Sequence, residues 1–252
     1  MTLHVTREGG VATLLLDNPP RNAITFAMYD ALTHACAELG ADPAVRVVLL
    51  RGAGGAFAAG TDIAQFADFT TREQAVEYEE RFERAVSALE SLPQPTLAVV
   101  EGDCVGGGAA LLLACDLRIA IPAARFGVPI ARTLGNALSV RNTARLVASI
   151  GPAAARWLLY TGDLVTAAQA LQLGLLNELQ PPEAMGARAA ELAGRIARNA
   201  PITVRGAKQA VRHALELPPE EIELLVKAYL SNDFREGVKA FLEKRKPHFK
   251  GD

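Results

Sequence analysis

The sequence has few of the residues that mark disulfide-stabilised, metal-binding or nucleic-acid-binding proteins. Its 252 residues include three cysteines, which lie far apart, and four scattered histidines. An odd number of unclustered cysteines indicates buried thiols in a reducing compartment, and no metal site is predicted. The 26 Lys and Arg nearly balance the 28 Asp and Glu, so the formal net charge is −2. This balance argues against a nucleic-acid partner or an anionic membrane surface.

Long apolar runs are also missing. The most apolar stretch, Cys104–Cys115, is much shorter than the ~20 residues that span a bilayer, and the N-terminus lacks the apolar stretch of a signal peptide. We therefore predict a cytoplasmic protein with no membrane partner. Aromatic residues make up only 6% of a chain that is 50% apolar, so we expect a core packed by Ala, Leu, Val and Ile.

Strand and helix patterns alternate over the first ~130 residues, which favours a parallel or mixed sheet crossed by helices. Beyond about Ser139 the chain is mostly helical. The predicted elements are a hairpin (Leu3–Arg7 and Val11–Asp17), a helix capped by Thr25 and ended by Gly40, buried strands over Val45–Leu50, Thr96–Val100 and Leu117–Ile121, a short helix opened by Asp62, and helices over Thr71–Leu92 and Ala109–Ala114.

Two glycine-rich loops each follow a predicted buried strand, at residues 51–62 (RGAGGAFAAGTD) and 101–108 (EGDCVGGG). Because ligands bind at the carboxyl ends of parallel strands, these loops are candidates for a binding site. Glycine lets backbone N–H groups face a ligand with no Cβ in the way. Two such groups from separate loops would suit an oxygen that becomes negative during a reaction.

Other interpretations of the loops remain open. Each loop could be a tight turn that only allows close packing of a helix on the sheet. The first loop also begins like a dinucleotide fingerprint, but Phe57 stands where the third glycine belongs, and no acidic residue follows at the usual distance. A phosphate-binding P-loop and a G-x-S-x-G nucleophile motif are both missing from the sequence.

Six motifs, in order along nearly the whole chain, resemble the crotonase superfamily, that is, the enoyl-CoA hydratase/isomerase proteins: Pro20–Ala23 (PRNA), Ala56–Asp62 (AFAAGTD), Gly106–Gly108, Cys115–Asp116, Arg125–Pro129 (RFGVP) and Glu236–Pro247. The resemblance implies an α/β fold, with a crotonase-like spiral of ββα units over residues 1–195 and a C-terminal helical trimerisation region over 196–252. It also implies a homotrimer or a homohexamer made as a dimer of trimers. The implied substrate is an acyl-CoA thioester of fatty acid metabolism, with coenzyme A as part of the substrate and no permanently bound cofactor.

The resemblance also implies roles for individual residues. The backbone N–H groups of Thr61 and Gly107 would form an oxyanion hole that stabilises an enolate-like intermediate. The residues implied to lie along coenzyme A are Arg21, Ala23, Ala58, Ala59, Asp62, Ile63, Phe241 and Lys244. We interpret the Asp62 and Asp116 side chains as structural and not catalytic.

The chain departs from the family where a hydratase carries its two glutamates. The first position is Ala110, and the second is Ile130 or Ala131. General acid–base catalysis contributes about 10²–10⁴-fold per group, so we expect poor hydration of simple enoyl-CoA. Isomerase- or lyase-type chemistry on an unusual acyl group is predicted instead.

The polar candidates for that chemistry are Arg132, Asn136 and Ser139, although residues 133–139 would also suit a cap for the next helix. A non-catalytic acyl-CoA-binding protein is the alternative function. A nucleotide-dependent dehydrogenase is a third hypothesis, disfavoured by the incomplete fingerprint.

Overall fold

The alternating patterns fold into a mixed α/β architecture, as predicted, in a computed structural model that describes residues 2–67, 70–216, 232, 233, 236, 243, 245, 247, 248 and 250. Its strands are β1 (Thr2–Glu8), β2 (Val11–Asp17), β3 (Val47–Gly52), β4 (Thr96–Val100), β5 (Cys104–Val105), β6 (Leu117–Ala120), β7 (Arg125–Gly127), β8 (Val165–Thr166) and β9 (Glu178–Leu179). Its helices are α1 (Phe26–Ala41), α2 (Arg72–Glu90), α3 (Gly107–Leu113), α4 (Ile130–Thr133), α5 (Val140–Thr161), α6 (Ala167–Gln172), α7 (Pro182–Ala197) and α8 (Pro201–Glu216), with a 3-10 turn at Ile63–Phe66.

The larger sheet has six strands in the order β1-β2-β3-β4-β6-β9. The first two strands form the predicted antiparallel hairpin, and every other pair in this sheet is parallel. Because parallel strands carry their carboxyl ends to one edge, the loops after β3 and β4 meet there. These are the two glycine-rich loops.

The central strands are buried on both faces, as their continuous apolar runs predicted. Val48 and Leu50 of β3 point into the main core, which also takes in α1, α2, α3 and α5, whereas Val47 and Leu49 point into a smaller cluster against α7. This alternation is the period of two residues expected for a strand. The sheet is therefore covered by helices on both sides.

Several predicted element boundaries are wrong by one or two residues, and two elements show the physical reason. The first helix continues through Gly40 to Ala41, because Gly40 keeps a helical conformation and the cap comes from the Asp42 N–H on the Leu39 carbonyl. The strand predicted over Val45–Leu50 begins later, since the Val45 N–H donates to the Asp42 carbonyl in a turn, and it extends to Gly52.

Three short strands were not predicted from the sequence. β5, β7 and β8 have two or three residues each, too few to show a strand period, and together they form a separate three-stranded sheet. Within α5, Gly151 adopts a φ of +76° and precedes Pro152, so the helix is broken at this point. No helix among the described residues is long and apolar enough to cross a membrane.

Helix α8 packs on the sheet through a buried ammonium group. Lys208 of α8 donates to Asp116 over 2.7 Å and to the Gln94 carbonyl over 3.0 Å. Asp116 also accepts hydrogen bonds from the Thr96 backbone and hydroxyl, which accords with its structural interpretation. The predicted division at residues 195/196 falls inside α7 and stays a prediction.

Candidate active site

A cavity of about 230 Å³ lies at the carboxyl edge of the large sheet. One wall is formed by the glycine-rich segments 59–61 and 105–107, and a second by Tyr78, Glu79 and Phe82 of α2. The segment 128–139 forms the third wall. The sequence placed the two loops together, and the structure shows that α2 and the 128–139 segment complete the cavity.

The first loop is held in an extended conformation between two neighbouring segments. On one side, the Ala59 N–H donates to the Arg21 carbonyl over 3.0 Å, and the Asp62 N–H to the Ile24 carbonyl over 2.9 Å. On the other side, the Val105 N–H donates to the Ala58 carbonyl over 3.0 Å. These bonds fix the backbone on both sides of Thr61.

The second loop enters α3 at a close approach of two backbones. The Gly106 N–H donates to the Gly127 carbonyl over 2.9 Å, which ties the loop to β7. A Cβ on Gly108 would overlap the Ala58 carbonyl oxygen, so only glycine allows this packing. A Cβ built on Gly107 would lie 3.3 Å from the Thr61 nitrogen. The two loops are therefore in contact at Thr61 and Gly107.

The backbone N–H groups of Thr61 and Gly107 are candidates for binding an anionic oxygen. Gly107 is the first residue of α3, and the first N–H groups of a helix have no acceptor within it. Within the ranges that the structure describes, no hydrogen-bond acceptor is found for either N–H. Two donors from adjacent loops at one cavity wall are the arrangement that stabilises developing negative charge.

Beneath this wall the Thr61 hydroxyl joins two tyrosines that the sequence analysis did not single out. Its Oγ1 lies 2.8 Å from the Tyr29 hydroxyl and 2.9 Å from the Tyr78 hydroxyl. Burial raises the pKa of both phenols above the ordinary value, so they stay neutral and act as hydrogen-bonding groups. The two tyrosines therefore fix the position of the Thr61 side chain.

The structure brings two of the three predicted polar candidates to the cavity. Asn136 and Ser139 line it, whereas the exposed guanidinium of Arg132 pairs with Asp163 at 3.4 Å and is not part of the wall. The Ser139 hydroxyl accepts from the Asn142 N–H at the start of α5. Ser139 is thus also the helix cap that the alternative interpretation proposed.

The residues implied to lie along coenzyme A are distributed around the first loop. Ala59 lines the cavity together with the largely exposed Ile63, and Asp62 caps the 3-10 turn by accepting from the Ala64 N–H. Ala58 is fully buried against β5, and Arg21 is exposed next to Ala23 on the segment that flanks the loop. Phe241 and Lys244 lie outside the described residues.

Comparison with known proteins decides the family. A model of the enoyl-CoA hydratase/isomerase family matches residues 6–252. The chain belongs to this family. The resemblance to the crotonase superfamily and the fold it implied are thereby confirmed.

Relatives and solved structures of the enoyl-CoA hydratase/isomerase family cover almost the whole chain. The 2,3-dehydroadipyl-CoA hydratase of Escherichia coli is 32% identical over 255 residues, which span 99% of this chain and 98% of that protein. The crotonyl-CoA hydratase of Syntrophomonas wolfei is 32% identical over 250 residues, 96% of this chain and 95% of that protein. The crystal structure of an enoyl-CoA hydratase/carnithine racemase from Magnetospirillum magneticum, 35% identical, superposes with a TM-score of 0.94 and covers 99% of this chain and 96% of that chain.

As a member of the enoyl-CoA hydratase/isomerase family, the protein is an acyl-CoA enzyme of the lyase or isomerase type. The two positions implied for hydratase glutamates carry apolar side chains. Ala110 is buried in α3, while Ile130 lines the cavity at the start of α4 and Ala131 is exposed. Among the described residues of the cavity wall, the one carboxylate is Glu79 of α2.

Glu79 was missed because nothing in its immediate sequence marks it. It lies within a charged helix that carries six acidic residues, three of them exposed. A signal was nevertheless present, since Glu79 is adjacent to Tyr78 and three residues before Phe82, both of which belong to the apolar stripe of α2. A carboxylate at the edge of such a stripe is brought to the border of the core.

Proposed function

We propose that this protein binds an acyl-CoA thioester and stabilises its enolate in an oxyanion hole formed by the backbone N–H groups of Thr61 and Gly107. The observation that carries the proposal is the contact between the two glycine loops, which leaves both N–H groups without an acceptor in the described part of the chain. An enolate oxygen bears more negative charge than the thioester carbonyl from which it forms. Fixed donors therefore bind the intermediate more strongly than the substrate.

The reaction we propose is of the isomerase or lyase type, on an acyl group that differs from simple enoyl chains. The support is the apolar character of Ala110 and Ile130, since hydration needs groups that hold and activate a water molecule. The remaining polar groups on this wall, Asn136 and Ser139, would orient the acyl chain. A cavity of about 230 Å³ is small for a whole cofactor, so the acyl end would fill it while coenzyme A lies outside.

We further propose that coenzyme A runs along the first loop, in the neighbourhood of Arg21, Ala23 and the backbone of residues 58–63. The exposed Arg21 guanidinium would suit a phosphate group. The family resemblance implies that Phe241 and Lys244 lie at the nucleotide end of coenzyme A, and this stays a prediction.

A homotrimer or homohexamer in the cytoplasm is proposed as the working assembly. The large exposed apolar side chains of α5 and α8 support association between copies of the chain. They are Val140, Trp157, Tyr160, Val211 and Leu215.

A non-catalytic acyl-CoA-binding protein is the second candidate function. The observation that favours it is the apolar character of the two implied glutamate positions, with Ala110 buried in α3 and Ile130 on the cavity wall. Such a protein would keep the oxyanion hole as a binding feature alone.

The proposal is tested by measuring binding and turnover on a small panel of thioesters. We expect calorimetry to detect binding of butanoyl-CoA, and chromatography to detect conversion of but-3-enoyl-CoA into but-2-enoyl-CoA. We expect hydration of but-2-enoyl-CoA to be at least about 10²-fold slower than by the Syntrophomonas wolfei relative assayed in parallel, because the hydratase carboxylates are missing. Equal hydration rates would contradict this expectation, and binding without turnover of any panel member would favour the second candidate.

A further inference from the structure

We propose that the Glu79 carboxyl group is the acid–base group of this site. It would remove a proton from the carbon chain of the bound acyl thioester and return it to another carbon of the same chain. The inference rests on the proposed function, because the carbanion that forms needs the oxyanion hole of Thr61 and Gly107. Nothing in the family resemblance assigns a role to this position.

The position of Glu79 is fixed by the packing of α2. The helix begins at a capping box, in which Thr71 and Gln74 satisfy each other's backbone N–H groups. Its apolar stripe, which includes Tyr78 and Phe82, packs into the main core. Glu79 lies at the edge of that stripe and lines the same cavity as both oxyanion loops. A side chain on a packed helix is held more precisely than one on a loop.

Glu79 is also free to carry out proton transfer. The residue is half-buried, and among the described residues no hydrogen bond or ion pair to its carboxylate is found. Buried carboxylates with a structural role are normally paired, as Glu83 is with Arg145 one turn further along. An unpaired carboxylate at a cavity wall therefore points to a ligand as its partner.

The surroundings make the Glu79 carboxylate a stronger base than an exposed one. Burial, and after it the charge of Glu83, raise the pKa of Glu79 above its ordinary value of 4.5. On the same helix, the exposed Glu80 and Arg84 line a neighbouring groove that also includes Glu79. A raised pKa makes a carboxylate a stronger base and lets its protonated form persist long enough to return the proton.

The facing helix supplies positive charge to Glu83. From α5, Arg141 lies 3.7 Å from Glu83, and the Arg145 guanidinium contacts Glu83 as well. Ser139 and Arg141 of this helix line the groove beside Glu79, but no pairing of Arg141 with Glu79 is found in the described chain. The positive charges of α5 thus compensate Glu83 and not Glu79.

The other ionisable or hydroxyl groups of the cavity wall are less suited to the task. The Tyr78 hydroxyl is bound to Thr61, and burial moves its pKa further from neutrality. The Ser139 hydroxyl accepts the Asn142 N–H and lacks an activating base. Glu79 is therefore the group on this wall best placed to take up and return a proton.

The proposed step balances with Glu79 alone. Its carboxylate takes a proton from the α-carbon of a β,γ-unsaturated thioester, and the C–H electron pair moves into the carbonyl, whose oxygen accepts the Thr61 and Gly107 N–H groups. The protonated carboxyl then gives the proton to the γ-carbon, while the α,β double bond forms and the carbonyl is restored. No water, oxidant or second base is consumed, which suits a site without the two hydratase glutamates.

The test compares wild-type protein with Glu79→Gln and, as a matched control, Glu80→Gln, which makes the same charge change on the exposed side of the helix. The first measurement is exchange of the α-protons of butanoyl-CoA in D₂O, followed by NMR. The second is isomerisation of but-3-enoyl-CoA. We expect Glu79→Gln to slow both by about 10²–10⁴-fold and Glu80→Gln to change neither.

The pH profile gives an independent readout. The wild-type exchange rate should rise as the pH passes upward through the pKa of Glu79, since the deprotonated form is the base, and this rise should disappear in Glu79→Gln. Thermal unfolding is expected to show that Glu79→Gln folds, because the substitution removes a repulsion with Glu83.

The outcomes separate the two proposals. Exchange at the wild-type rate in folded Glu79→Gln would overturn the role of Glu79 and leave the oxyanion-hole function standing. Wild-type protein that binds butanoyl-CoA but exchanges no α-proton would overturn enolate formation, and the role of Glu79 with it.

Discussion

Replacing Gly107 with alanine is expected to lower kcat/KM for but-3-enoyl-CoA isomerisation by about 10²–10³-fold, the usual effect of losing one oxyanion donor. A Cβ at this position would lie 2.5 Å from the Tyr29 hydroxyl oxygen and 3.3 Å from the Thr61 nitrogen. Tyr29 is fully buried against Phe82 and cannot move cheaply. The glycine loops must therefore separate, and the two N–H groups no longer converge on one oxygen.

The control is a glycine-to-alanine change on a helix far from the cavity. A Cβ on Gly186 of α7 would meet no atom within 4 Å. Gly186→Ala is expected to leave kcat/KM unchanged and to stabilise the fold by up to about 1 kcal/mol, the helix-propensity difference between the two residues. Thermal unfolding and steady-state kinetics on both variants separate a catalytic effect from a folding effect.

A double variant tests the cause directly. Tyr29→Phe removes the hydroxyl that lies nearest to the new methyl group, so the pair Tyr29→Phe/Gly107→Ala should recover part of the activity that Gly107→Ala loses. Double-mutant cycles measure this kind of coupling between neighbours. Full activity in Gly107→Ala alone would show that the reaction does not depend on the contact between these loops.

The fold was predictable where a strand or helix leaves a pattern in its own local sequence. The strand β4 matches its predicted bounds, because a strand buried on both faces is apolar at nearly every position. Thr25 and Thr71 mark helix starts because a hydroxyl there accepts a backbone N–H. The strands β5 and β7 were not predictable, since two or three residues pair only after the rest of the chain has brought them together.

The site was predictable where backbone chemistry decides it and not where packing does. Glycine content indicated loops at Thr61 and Gly107, since close backbone approach excludes a side chain. By contrast, the contact of Tyr29 with Thr61 joins residues 32 positions apart, and the place of Glu79 depends on how α2 rotates against the core. The contact leaves no trace in local spacing, and the apolar stripe of α2 shows only that Glu79 lies at the border of the core.

Replacing Arg145 with methionine is expected to lower the free energy of unfolding at pH 7 by about 3–5 kcal/mol, the usual cost of breaking a buried ion pair. Only 9% of the Arg145 side chain is exposed, and it makes paired hydrogen bonds of 2.8–3.1 Å to the carboxylates of both Glu83 and Glu90. The guanidinium thus joins α5 to α2. Without it, two partly buried carboxylates of α2 would lose their positively charged partner on α5.

Arg141→Met is the matched control, because Arg141 belongs to the same helix and also faces Glu83. Its side chain is 74% exposed and its nitrogen lies 3.7 Å from the carboxylate. Exposed pairs contribute about 0–1 kcal/mol, so urea unfolding of this variant should follow the wild type closely. A comparable loss of stability in both variants would contradict the assignment of the effect to burial.

The pH dependence of the Arg145 effect identifies the charge responsible. Burial alone would raise the pKa of Glu83, but hydrogen bonds from Arg145 and Ser87, with the charges of Arg145 and Arg141, hold it below its ordinary value of 4.5. A carboxylate with a lowered pKa stabilises the fold above its unfolded-state pKa, and that contribution is lost as the pH falls through the lower, folded value.

The difference between wild type and Arg145→Met should therefore be largest near neutrality and shrink below about pH 4.5, where a protonated Glu83 no longer needs the guanidinium. A difference that stayed constant from pH 7 to pH 3 would instead assign the loss to the packing of the arginine side chain, because packing does not titrate.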